Sequence, residues 1–348
     1  MQTIHDLETP SILINMDIME RNIARIQERC DSLGIQLRPH IKTHKIPALA
    51  QLQLAQGAIG IACQKVSEAE VFADAGITDI EIPYNIVGKL KTARLAALAK
   101  RAQLIVTVDS QPVIAGIAEA AREAGVTIRM MVELVSEQNR TGTTPEDAFR
   151  LAQYIQEEDG VQFAGVMIYP TNASVRPRLL KTLELLKEAG IPVEMVSGGG
   201  TGAILEAHEV PELTEFRIGT YIFNDWRTVA HEWATMEDCA MTIRTTVVSA
   251  NDKGRVIIDA GGKTVTLDKH EGLHGYIVEY PEARFYQTSE EHGFLDFSAY
   301  DQIPKVGDIV HIIPVHTCIV TNLHNQIYGV RGEQIEHTWS IAARGLVW

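Results

Sequence analysis

One turn recurs through the first two thirds of the chain and limits what it can fold into. A glycine followed by isoleucine or valine closes an amphipathic helical stretch and opens a short apolar run, at Gly34-Ile35, Gly76-Ile77, Gly125-Val126, Gly160-Val161 and Gly190-Ile191. Glycine just past a helix end takes the left-handed conformation at little cost, and the apolar residue after it starts a strand. The spacing predicts strands over residues 11–16, 36–42, 59–63, 79–83, 104–108, 128–134, 162–169 and 193–197, with helices such as 19–33, 112–124 and 146–157 between them. Eight alternating β and α units argue for a (β/α)8 TIM barrel, although an open wound sheet shares that alternation.

The character changes near Glu237. Runs at 240–250, 255–259, 275–278, 309–313 and 318–320 read as strand after strand, and Asn251-Asp252-Lys253-Gly254 is a good hairpin turn. The expected organisation is therefore a barrel over residues 1–236 and a mainly antiparallel β domain over 237–348.

Charge narrows the partners. The chain carries 31 Lys and Arg against 45 Asp and Glu, a net −14, which argues against nucleic acid or an anionic membrane as the main partner. No apolar run reaches the ~18–20 residues that span a bilayer. The opening Met1-Gln2-Thr3-Ile4-His5-Asp6 lacks the basic-then-apolar build of a signal peptide. Cys30, Cys63, Cys239 and Cys318 follow no disulfide spacing, so a reducing cytoplasm is the expected setting.

In such a barrel, chemistry gathers where strands end. Polar residues fall there: Lys42, Cys63-Gln64-Lys65, Tyr84-Asn85, Asp109, Arg140 and Tyr169. The run Arg38-Pro39-His40-Ile41-Lys42-Thr43-His44-Lys45 holds two histidines and two lysines. Continued as a strand it would put His40, Lys42 and His44 on one face, while an exposed basic loop is the plainer alternative. The last of the eight runs enters Ser197-Gly198-Gly199-Gly200-Thr201-Gly202, a turn whose backbone amides could hold a phosphate, or whose glycines only make the turn tight. In Pro314-Val315-His316-Thr317-Cys318, residues at i and i+2 of a strand point the same way, so His316 and Cys318 could grip one metal. Imidazole with thiolate favours zinc over magnesium or calcium. A core cysteine on a half-buried strand is the competing account.

Together these residues resemble the fold-type III pyridoxal-phosphate enzymes, and among them the D-threonine aldolase and D-serine dehydratase group. The resemblance is carried by Glu8-Thr9-Pro10, the Arg38–Lys45 run, Cys63-Gln64-Lys65-Val66-Ser67-Glu68-Ala69-Glu70, the Ser197–Gly202 turn, Asp259-Ala260-Gly261-Gly262-Lys263, Ser289-Glu290-Glu291-His292-Gly293 and His316-Thr317-Cys318. It implies an alanine racemase-like barrel with a C-terminal β domain, in a homodimer. It implies that Lys42 is the Schiff-base lysine, that Arg140 meets the phenolate oxygen of pyridoxal 5'-phosphate, and that Tyr169 sits by the pyridine nitrogen. By the same resemblance Gly198, Gly199, Gly200, Thr201, Gly219, Thr220 and Tyr221 grip the phosphate, and His316 and Cys318 hold a divalent metal, zinc or else manganese. His40, His44 and His292 are its candidate bases.

After Tyr169 this chain reads Pro170-Thr171-Asn172-Ala173-Ser174, where the relatives carry a Gly-His element and a longer segment, so substrate specificity does not carry over. The implied substrate class is D-3-hydroxy-α-amino acids, such as D-serine or D-3-hydroxyaspartate. Two courses are open: dehydration to a keto acid and ammonia, or retro-aldol cleavage to glycine and an aldehyde. The His-x-Cys pair leans slightly to dehydration. An amino-acid racemase and a non-catalytic pyridoxal-phosphate carrier are more distant alternatives; the metal pair speaks against the first and the β domain against the second.

Overall fold

The computed structural model describes residues 2–251 and 253–348, so Asp252 of the expected hairpin turn lies outside the described residues. The chain forms two compact units. One comprises Ile26–Lys42, Pro47–Gly219 and Leu346–Trp348, the other Met1–Arg25, Thr43–Ile46 and Thr220–Gly345. In chain order the strands to Gly219 are β1 (Ser11–Asn15), β2 (Gln36–Pro39), β3 (Ile61–Ala62), β4 (Asp79–Ile82), β5 (Gln103–Val108), β6 (Ile128–Leu134), β7 (Val161–Ile168), β8 (Met195–Gly199) and β9 (Glu215–Ile218).

The first unit is built on eight parallel strands in the order β2-β9-β8-β7-β6-β5-β4-β3. A bridge between His40 and Ala62, with the Ile59 amide donating to the Leu37 carbonyl at 3.0 Å, brings the two ends into a near-closed barrel. Its strands are buried almost throughout, as parallel strands covered on both faces must be. The five predicted glycine turns all adopt positive φ, from 67° at Gly125 to 86° at Gly160. At Gly125 the Val126 amide then reaches back to the Ala121 carbonyl and ends the helix Gln111–Ala124.

The barrel forms, but not from the strands expected. The run at 11–16 is not its first strand: β1 pairs antiparallel with residues of 241–244 and parallel with residues of 328–330. The eighth place is filled by Glu215–Ile218, whose two charged residues hide its strand pattern. Every barrel position therefore shifts by one, so Lys42 follows the first barrel strand and the glycine run ends the seventh.

The second unit holds β1 and eight further strands: β10 (Met241–Ala250), β11 (Arg255–Ile258), β12 (Gly275–Ile277), β13 (Arg284–Thr288), β14 (Gly293–Asp296), β15 (Ile309–Pro314), β16 (Gln326–Arg331) and β17 (Gln334–Ser340). They form a sheet ordered β13-β14-β11-β10-β1-β16-β17, with β15 bridging β10 and β12. All its pairings are antiparallel except that of β1 with β16. Residues 318–320, expected as strand, lie in the helix Thr317–Leu323. Among the described residues no helix is long and apolar enough to cross a membrane.

Candidate active site

The C-terminal ends of the barrel strands carry a ring of polar contacts, each side chain fixed by its neighbour. After β2, His40 bonds through Nε2 to Gln64 Oε1 at 3.0 Å. After β3, the Gln64 and Lys65 amides both donate to Glu68 Oε2, at 2.8 and 3.1 Å, and Lys65 Nζ lies 3.8 Å from the centre of the Tyr84 ring. Asp109, after β5, accepts from the Gly142 amide at 3.2 Å, and Glu133 of β6 accepts from the Thr141 hydroxyl at 3.0 Å. Those two bonds hold the loop that carries Arg140. Its guanidinium sits over the Tyr169 ring at 5.0 Å, a cation–π contact across the ends of β6 and β7.

The basic run at 38–45 does not continue as a strand. β2 stops at Pro39 and the chain turns through a single 3-10 helix, Ile41–Thr43, so the shared face expected for His40, Lys42 and His44 does not exist. The histidines hold the turns instead. His40 Nδ1 accepts from the Lys42 amide at 3.4 Å, and His44 Nδ1 accepts from the Ile46 amide at 3.0 Å. Lys42 is half-buried. Lys45 is buried, with a left-handed φ of 57°, and its ammonium donates to Asn322 Oδ1 at 3.0 Å.

The glycine run has packing reasons of its own. A Cβ on Gly198 would lie 2.8 Å from Leu213 Cδ2, and one on Gly199 would lie 2.9 Å from the Arg217 carbonyl and 3.3 Å from the Tyr169 ring. Gly200 has φ +127° and gives its amide to the Arg217 carbonyl at 3.2 Å. Thr201 and Gly219 continue this rim, at the ends of β8 and β9.

Below the rim lies a buried ionic network that the sequence reading missed. Arg38 donates to Glu215 at 2.7 Å and to Asp79 at 2.6 Å; Arg217 reaches Glu81 at 3.3 Å and the Ser197 hydroxyl at 2.8 Å, and that hydroxyl donates to Glu215 at 2.7 Å. Burial holds Glu81 above the ordinary carboxylate range although Arg217 opposes it, whereas Arg38 outweighs burial and holds Glu215 below that range. Part of the signal was present, since Arg38 and Glu81 each fall inside an expected strand, whereas Glu215 and Arg217 lie in the strand their own charges hid.

In the second unit, β15 ends at Pro314, and His316 is the residue that caps the helix Thr317–Leu323, with φ −146° and ψ 112°. The strand geometry expected for His316 and Cys318 is thus replaced by an extended residue followed by a helical turn. The two still meet, with the Cys318 thiol in hydrogen-bonding reach of the imidazole. His316 Nδ1 bonds Asp225 Oδ2 at 2.9 Å, and the same oxygen accepts from the Thr317 amide at 3.1 Å. Burial works against a charged His316, but Asp225 and Cys318 outweigh it and push the ring up to about 10. Thr43 Oγ1 lies 3.2 Å and Thr220 Oγ1 4.0 Å from Cys318 Sγ. Sequence reading missed Asp225, because Asp225-Trp226-Arg227-Thr228 reads only as a helix cap, a role it also fills.

Among the described residues no third His, Cys, Asp or Glu completes a metal-ligating group with the pair. Tyr221 is buried in this unit at 2 % exposure. His292 lies exposed in the turn between β13 and β14, and its carbonyl accepts from the Ser289 amide.

The fold has counterparts among known proteins. The family model for the alanine racemase N-terminal domain matches residues 14–225, and a serine dehydratase domain model matches 240–330. The chain is 34% identical to a D-threonine aldolase of Arthrobacter sp. over 97% of this chain and 93% of that one. It superposes on the crystal structure of D-threonine aldolase from Filomicrobium marinum with a TM-score of 0.92, at 32% identity and full coverage of both chains (100% and 100%). A mutant of D-threo-3-hydroxyaspartate dehydratase in a metal-free form aligns with a TM-score of 0.86 and 27% identity, over 98% of this chain and 99% of that one.

Proposed function

The chain belongs to the alanine racemase-like, fold-type III pyridoxal-phosphate lyases of the D-threonine aldolase and D-serine dehydratase family, and on that footing we propose that it cleaves D-3-hydroxy-α-amino acids by a retro-aldol reaction. The products are glycine and an aldehyde. The observation that carries this reading is the likeness to D-threonine aldolase along almost the whole chain. The His316-x-Cys318 pair leans the other way, to dehydration. A thiolate ligand does not itself select which bond breaks, however, so the full-length likeness weighs more.

The residues present fit both implied groups. A half-buried lysine at the end of the first barrel strand, an arginine steadied over Tyr169 and a glycine run at the end of β8 suit pyridoxal phosphate. When bound, the cofactor supplies an electron sink for the charge left on the α-carbon. In this reading Lys42 carries it, Arg140 faces its phenolate oxygen, Tyr169 stands by its pyridine nitrogen, and Gly198 to Thr201 with Gly219, Thr220 and Tyr221 receive its phosphate. His316, with Nδ1 taken by a buried carboxylate, keeps Nε2 as the nitrogen a metal would use, the usual arrangement behind a metal-bound histidine. His316 and Cys318 would hold a divalent ion, zinc by the softness of the pair, leaving other positions for water and substrate. We extend the reading to a homodimer, which sedimentation of the purified protein tests.

The deciding assay incubates cofactor-loaded protein with D-threonine, D-serine and D-3-hydroxyaspartate, with and without EDTA, and measures glycine and keto acid separately. Glycine as the main product, lost with EDTA, is expected. Keto acid as the main product would return the assignment to dehydration.

A further inference from the structure

Two residues beyond Asp225 and one before His316, the second unit carries a half-open cavity of about 320 Å³ lined by Arg227, His231, Asp268, Lys269, His270 and Val315. Its volume is that of a small-ligand pocket. Its lining runs against the character of the chain: two fixed cations and two imidazoles face one carboxylate, in a protein of net charge −14. Arg227 and Lys269 are exposed and enter no salt bridge among the described residues. Asp268, the one carboxylate of the lining, offsets only one of their two charges.

The imidazoles are also held in place. His231 stacks on Trp233 at 4.7 Å and 25°, and His270 meets Trp226 edge-on at 5.3 Å and 79°. Trp226 packs in turn on Tyr276, with ring centres 6.2 Å apart. Donors fixed by ring contacts lose little freedom when a ligand arrives. The Arg227 backbone is tied to the same wall, its amide donating to the Val315 carbonyl at 3.3 Å.

We propose that this cavity binds a small oxyanion, a carboxylate or a phosphate, between Arg227 and Lys269, with His231 and His270 as further donors. Arginine suits the planar, two-oxygen face of such a group, and lysine adds a point charge. Two sources share that chemistry: a free anion, or the side-chain carboxylate of an acidic substrate. Only the second rests on the aldolase reading.

The test compares wild type with the double variant Arg227→Gln/Lys269→Gln, both loaded with pyridoxal phosphate so that the cofactor's own phosphate site is filled. Calorimetric titration with inorganic phosphate forms the first arm. Saturable binding is expected in the wild type, roughly tenfold or more weaker in the double variant, and falling as sodium chloride is raised. The ratio of kcat/KM for D-3-hydroxyaspartate to that for D-threonine forms the second. A fall for hydroxyaspartate alone assigns the cavity to the substrate carboxylate; weakened phosphate binding with an unchanged ratio assigns it to a free anion. If the double variant matches the wild type in both arms, the proposal fails, whether or not phosphate binds. Should neither substrate be turned over, the phosphate arm still decides.

Discussion

Asp225 Oδ2 holds the Nδ1 side of the His316 ring at 2.9 Å while accepting the Thr317 amide at 3.1 Å, so one fully buried carboxylate fixes both the imidazole and the start of its helix. Asp225→Asn keeps the shape and loses the charge. It should lower metal affinity about 10–100-fold, the usual cost of removing such a carboxylate, while the visible absorption of bound cofactor persists. Metal content by elemental analysis beside an absorption spectrum checks this. Unchanged metal content would remove His316 from the metal reading.

Lys42, not Lys45, should carry the cofactor. Lys45 spends its ammonium on Asn322 and is buried, whereas Lys42 is half-buried at the end of the first barrel strand. Borohydride reduction and peptide mapping should place the pyridoxyl group on Lys42. Lys45→Met should leave that label in place and lower thermal stability by the loss of one charge-assisted bond, since Asn322 Oδ1 keeps only the Gly345 amide at 2.9 Å. A pyridoxyl group found on Lys45 would overturn the site.

The Arg38 network should dominate barrel stability. Arg38→Met leaves Glu215 without its nearest cation, and such uncompensated buried charge costs about 3–5 kcal/mol, readable as a shift in the urea midpoint. Glu81 gives this network a pH signature. Its folded pKa lies above that of the unfolded chain because of burial, so the stability from its proton is full below the ordinary carboxylate range and is lost as pH rises through the raised value. Glu81→Gln, neutral at every pH, should flatten the decline of stability over that window. An unaltered slope would show that another group titrates there.

Cofactor affinity should depend on the turn beside Arg140. Gly142 has φ +98°, and a Cβ there would stand 2.7 Å from the Leu134 carbonyl carbon, so Gly142→Ala must move the loop. Thr141→Val removes only the bond to Glu133, worth roughly 1–2 kcal/mol. Equilibrium dialysis of pyridoxal phosphate should rank the two variants in that order below wild type. Wild-type affinity in Gly142→Ala would separate Arg140 from the cofactor.

The barrel was legible because its signal is local: a glycine at each helix end and an apolar run after it. What escaped was set by partners distant in sequence. β1 has the composition of any barrel strand, and only Thr242 and Tyr328 opposite Leu13 reveal its sheet. β9 was hidden by Glu215 and Arg217, which sit inside the barrel because Arg38, Glu81 and Ser197 receive them. In the site, residue types were readable and geometry was not. His316 and Cys318 meet through a helix cap rather than a strand, and Asp225, ninety-odd residues earlier, has no pattern tying it to them.

The placement of β1 bears on how the protein is made. Its partners Met241 and Gly329 leave the ribosome only after every barrel strand has done so, and Ile12 and Ile14, both buried in the finished sheet, must wait meanwhile without cover. A fragment stopped after Gly219 would keep that orphan strand as a sticky, unpaired edge. A circular permutant opened at the exposed Gly34 turn, which delivers β1 and the helix after it last, should fold from the same residues with less aggregation, and light scattering during refolding of the two would show whether the waiting strand is the hazard.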